Sequence, residues 1–178
     1  MNGRQLKSYL GRNFSSGLEE LGFCFSQNTG LYDKKIYRTT LSISINCRIK
    51  WGYPVFDPLA SLDSDWLQSF AKEFAPVRSE TGKVITPRLS SLAGAVSIWP
   101  LADHGLIPTI DQKSADLAVL VYLNVIRDRL EPDINLIQNE ENLLDFLQRK
   151  GAFELYKSWN IPYLQEKIEF LKNKTMLG

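Results

Sequence analysis

The chain has 178 residues, 44% of them apolar, which is enough for one hydrophobic core and predicts a single domain over residues 1–178. Its 21 Lys and Arg against 20 Asp and Glu leave a net charge of +1, which excludes a generic polyanion binder. Charged residues at 23% and aromatics at 11% exclude disordered, collagen-like and coiled-coil classes.

Leu6, Leu10, Phe14, Leu18 and Leu21 recur at three- and four-residue intervals and predict a helix over residues 3–21, with Gly22 as its stop. Phe23 to Gln27 reads as a short strand, and Asn28-Thr29-Gly30 as a hairpin loop leading into Leu31-Tyr32. From Tyr37 to Trp51 the odd positions are apolar or aromatic apart from Thr39, and the even ones polar, which predicts a strand with one face on the core and one in water. At about 3.3 Å per residue it would run roughly 50 Å, so it should bend, bulge or be shared between two partner strands.

Trp51 to Pro58 holds two prolines and a glycine and is read as an aromatic loop. Ser61 or Asp63 is expected to cap a helix that turns Trp66, Leu67, Phe70 and Phe74 to one face. Ala93 to Trp99 reads as a strand closed by Pro100. Asp111 should cap a buried helix over residues 112–131, ended by Pro132, and Asn139 should cap a further helix. Ala152 to Trp159 reads as short and helical, and Pro162 opens a last helix with Leu164, Ile168 and Leu171 inward. Helices at both ends with strands between them make the expected fold class α+β, an antiparallel sheet with an N-terminal amphipathic helix and a helical C-terminal half.

The first residues lack the apolar stretch of a signal peptide, and Leu117 to Leu123 falls far short of the roughly 20 residues of a membrane span. The expectation is a cytoplasmic chain whose Cys24 and Cys47 are reduced, buried small hydrophobes. No motif specifies a reaction or a cofactor. The one histidine, His104, stands beside Asp103 without a nucleophile-elbow pattern, and zinc spacing and phosphate-loop glycines are both missing. An enzyme with a pocket near Asp103 and His104 is therefore one alternative. A second is an RNA-binding sheet, with Arg38, Arg48 and Lys50 on the even face of the long strand; base stacking there would need aromatics, which fall on the odd face, so nucleic acid is disfavoured.

Charge is unevenly spread. Residues 1–58 hold eight bases and four acids, residues 98–145 nine acids and three bases, and residues 146–178 six bases and three acids. Asp128, Glu131, Asp133, Glu140 and Glu141 could form a negative patch for a basic protein, although capping and solvated helix faces would also account for them. Trp51 and Tyr53 are candidate interface anchors, unless they fold back onto the sheet.

The helix ending Leu21-Gly22-Phe23, the hairpin through Leu31-Tyr32, the long alternating strand, and a helical half containing Leu130-Glu131-Pro132-Asp133-Ile134 and Glu140-Glu141-Asn142-Leu143-Leu144-Asp145-Phe146-Leu147 together resemble small bacterial immunity proteins of polymorphic toxin and contact-dependent growth inhibition systems. The resemblance covers the chain in outline except residues 52–100. It implies a non-enzymatic cytoplasmic protein that needs no cofactor and neutralises a cognate toxin domain, such as a nuclease, by covering its active site. It carries over no site residue.

Overall fold

The computed structural model describes residues 3–50, 53–68, 70, 83–85, 107–148 and 164–176. Helix α1 (Gly3–Glu20) buries Leu6, Leu10, Phe14 and Leu18, the stripe that the four-residue spacing sets out. Beyond it, Gly22 takes φ 84°, the left-handed region that a side chain would disfavour. The Gly22 N–H donates to the Glu19 carbonyl and the Phe23 N–H to the Leu18 carbonyl, both at 2.9 Å. This paired closure uses two orphan carbonyls, and Phe23 and Leu18 both enter the core.

Strands β1 (Cys24–Ser26) and β2 (Leu31–Ile36) form the expected hairpin, closed by Gly30 at φ 69°. Cys24 was expected to be buried; it is exposed instead, because β1 is an edge strand, while Cys47 is half-buried. Burial raises the Cys47 thiol pKa, partly countered by the nearby Lys7 charge. Strand β3 (Thr39–Ser44) pairs back on β2 with Ile36 opposite Thr39, leaving two residues for the turn. Such a turn requires positive φ, and Tyr37 supplies it at φ 54°. The side chain is therefore not on the apolar face of a strand; it is 56% exposed at the hairpin tip.

The long alternating segment is divided. Strand β3 pairs with β6 (Leu59–Ser64), and β4 (Cys47–Lys50) pairs with β5 (Tyr53–Phe56). The two ladders meet where Ile45 and Asn46 face Asp57 and Pro58; the Asp57 N–H donates to the Asn46 carbonyl at 2.9 Å, and Pro58 has no N–H to continue the ladder. One ribbon thus enters two sheets. The first has the order β1-β2-β3-β6-β7, with β7 Lys83–Ile85, and the second has β4-β5-β8, with β8 Ile107–Pro108; every pairing is antiparallel. The odd positions Thr39, Leu41 and Ile43 are buried as expected, but Ser42 on the even face is also buried, lying between Asp33 and Ser61 of the flanking strands. On β3 that face is not the open surface an RNA platform needs.

Two sequence expectations fail around the prolines. Residues 53–56 form a strand rather than a loop, and Pro54 is tolerated there because, among the described residues, β8 reaches only Val55 and Phe56 and Pro54 has a partner strand on one side alone. Ser61 and Asp63 belong to β6, and it is Ser64 whose hydroxyl accepts from the Trp66 N–H at 3.3 Å to cap a short 3-10 turn, Asp65–Leu67. Trp66, Leu67 and Phe70 are buried together as the pattern implied. Phe74, the 93–99 strand, the 152–159 helix and Pro162 lie outside the described residues.

Helix α2 (Gln112–Val125) starts at Asp111, whose carboxylate accepts from the Ser114 N–H at 2.8 Å while the Ser114 hydroxyl accepts from the Asp111 N–H at 3.0 Å. The Ser114 hydroxyl also lies 2.7 Å from the Asp111 carboxylate as a donor, and this bond first, then the Ser114 N–H, lowers the Asp111 pKa. The helix does not end at Pro132. It widens into a π turn, Ile126–Leu130, and continues as α3 (Glu131–Asn135). A proline ring clashes with the carbonyl four residues back in an α-helix, and the wider turn immediately before Pro132 displaces that carbonyl. Helix α4 (Glu140–Gln148) packs on α5 (Leu164–Met176), and α1 packs on α2. Gly17 sits at the α1–α2 contact, where a Cβ would lie 2.2 Å from Leu123 Cδ1. Apolar residues of α1, the first sheet and α2 to α5 join one buried cluster. The fold is α+β, with an antiparallel sheet, an N-terminal helix and helices in the C-terminal half. Among the described residues no helix is long and apolar enough to cross a membrane.

Lys167 of α5 is fully buried, and burial lowers its pKa to about 8 against the attraction of Asp63 on β6 and of Glu166. Between about pH 8 and pH 10.5 the unfolded chain therefore binds more protons at this residue than the folded one, so its contribution to stability rises with pH across that window. Denaturant unfolding at pH 7.5 and pH 10 should show a gain on the order of 1–2 kcal/mol that is missing in Lys167→Met. Equal pH slopes in the two proteins would refute the assignment.

Candidate functional site

The acidic candidates occupy consecutive pieces of the C-terminal half. Asp128 lies on the π turn, Glu131 and Asp133 on α3, and Glu140 and Glu141 on the first turn of α4, where they face the positive end of the helix dipole. The turn between α3 and α4 is tied down by short-range bonds. Asn139 caps α4, its carbonyl side-chain oxygen accepting from the Asn142 N–H at 2.8 Å, and the Asn142 side chain accepts in turn from the Gln138 N–H at 3.3 Å. Leu136, in the same turn, is 57% exposed.

These acids are not equally available. Lys34 of β2 donates to Glu131 Oε1 at 2.7 Å and to the Leu21 carbonyl at 2.6 Å, with its ammonium 5.6 Å from the Phe23 ring centroid. The pair is largely withdrawn from water, with side chains 25% and 15% exposed. Lys174 of α5 donates to Glu140. Asp128 is exposed and accepts from Arg127 through both carboxylate oxygens, at 2.7 and 3.0 Å; that hydrogen bonding lowers its pKa and raises that of Arg127. Asp133 is half-buried and engaged.

Glu141 is exposed and has no hydrogen-bond or ion-pair partner among the described residues, and the same holds for Asp145 one helical turn later. With Gln148 they form the outward stripe of α4. Asp145 was not among the residues singled out from sequence, although its spacing of four from Glu141 was there to be read. The partners Lys34 and Lys174 were not legible, standing 97 and 34 residues from their acids.

The aromatic candidates are separate from this face in the chain. Tyr53 opens β5 opposite Lys50. Trp51 lies outside the described residues, as do Asp103 and His104. Among the described residues no group of three or more His, Cys, Asp or Glu is placed to hold a metal ion. In comparisons with protein-family models, with curated proteins and with solved structures, nothing matches this chain.

Proposed function

We propose that the protein is a non-enzymatic binding domain of the immunity type, which captures a basic toxin domain against the turn and outer stripe of α4 and neutralises it by occlusion. The observation that carries this reading is the Glu141 and Asp145 pair. Like charges four residues apart on a helix destabilise it slightly, and no cation among the described residues compensates these two. A partner presenting Lys or Arg would relieve that repulsion, and the neighbouring exposed Leu136 adds apolar contact. Glu131 and Glu140 then serve the fold rather than the interface, since each already holds a lysine.

The product of the neighbouring toxin gene, purified and passed over the immobilised protein, should be retained and lose its activity. Failure of any such toxin domain to bind or be neutralised would sink the reading. Reversing both charges, Glu141→Lys with Asp145→Lys, should slow association about tenfold at low salt, with stability changed by no more than about 0.5 kcal/mol. Unchanged association that is also insensitive to salt would remove this stripe from the interface.

A further inference from the structure

We propose that a groove on the outer face of α1 binds a phosphomonoester, a nucleoside monophosphate being the ligand whose chemistry it fits best. The groove measures ≈ 430 Å³ and is lined by Arg4, Gln5, Ser8, Tyr9 and Arg12. That size falls in the range of small-molecule sites. Arg4, Ser8 and Arg12 carry hydrogen-bond donors along it, and none of the lining side chains carries a carboxylate. Positions 4, 8 and 12 climb the helix in steps of about 6 Å, so Ser8 stands between two arginines long enough to converge over it.

Both arginines are exposed, and neither has a hydrogen-bond or ion-pair partner among the described residues. Their surroundings favour an anion. The first turn of α1 carries no acid, Lys7 is exposed nearby, and the helix acids Glu19 and Glu20 stand at the opposite end. Tyr9 is fixed in place, its phenol donating to Asp116 Oδ1 at 2.6 Å and accepting from Gln112 Nε2 at 3.1 Å, both on α2. A ring held in this way is a preorganised aromatic wall. Asp116 is occupied by the phenol and is not a lining residue.

A tetrahedral phosphate can accept from two guanidinium forks and a hydroxyl at once, which a planar carboxylate satisfies less well. The aromatic wall beside them gives a nucleobase a stacking surface. Arg4, Ser8 and Arg12 would hold the phosphate, and Tyr9 the base.

Calorimetric titration of the full chain at low salt with adenosine monophosphate, inorganic phosphate and a short single-stranded oligonucleotide tests this. Adenosine monophosphate should bind saturably at one site, about tenfold or more weaker in Arg4→Gln or Arg12→Gln. Tyr9→Leu should weaken the nucleotide several-fold and leave inorganic phosphate unchanged, and Lys172→Gln, an exposed cation on α5, should change nothing. The exposed arginine variants should keep the parent melting curve. No saturable nucleotide binding, an equal loss in Lys172→Gln, or oligonucleotide binding that the nucleotide does not displace would each overturn the proposal. The groove shares no residue with the α4 face, so either reading can fail alone.

Discussion

Phe56→Ala should lower the unfolding free energy by about 3–5 kcal/mol, a large part of the total for a domain of this size. The Phe56 ring is fully buried, with centroids 5.0 Å from Phe14 at an interplanar angle of 86° and 5.7 Å from Tyr122 at 63°. These are edge-to-face contacts, and they join α1, β5 and α2 at one point. Truncation would leave a cavity walled by two rings, each held by its own helix and unable to collapse into it. The Tyr122 hydroxyl also donates to the Phe56 carbonyl at 3.0 Å, so Tyr122→Phe keeps the ring, removes this buried hydrogen bond and should cost about 1–1.5 kcal/mol, less than the ring truncation. Urea unfolding with a shared slope measures both. A loss below about 1 kcal/mol in Phe56→Ala would show that this ring cluster does not anchor the sheet to the helices.

Lys34→Met should cost about 2–3 kcal/mol, the next largest effect expected. Its ammonium supplies a donor to the Leu21 carbonyl at the C-terminal end of α1 and neutralises Glu131 on α3. Without it, the mostly buried carboxylate and the helix-end carbonyl both lose their charged partner, and the last turn of α1 loses a cation at its negative dipole end. Glu131→Gln keeps an acceptor and should cost about 1 kcal/mol. A double-mutant cycle should return a coupling of about 1–2 kcal/mol, and additivity within about 0.3 kcal/mol would mean that the two side chains act independently.

The parts of the fold that depend on near neighbours were legible. The buried stripe of α1, the Gly22 stop, the Gly30 hairpin and the caps at Asp111 and Asn139 are each decided within about five residues, where spacing and side-chain chemistry suffice. The prolines misled. Pro132 would end an α-helix, but a π turn in front of it carries the helix through, and Pro54 would break a doubly paired strand but meets one neighbour among the described residues. Strand β6 was missed although Ala60, Leu62 and Ser64 alternate inward, because its aspartate and serines also suit a helix cap. Of the acidic face, the residues were legible and their availability was not.

Taken alone, the sequence determined a near-neutral chain composed of a basic front, an acidic later segment and a basic tail. Only the tertiary structure decided what those opposed charges do. Lys34 from the front reaches Glu131 and Lys174 from the tail reaches Glu140, so part of the negative segment is neutralised from within, while Glu141 and Asp145 stay exposed and unpaired among the described residues. Helix faces follow from spacing along the chain, whereas an ion pair between residues 97 apart depends on the path of everything folded between them.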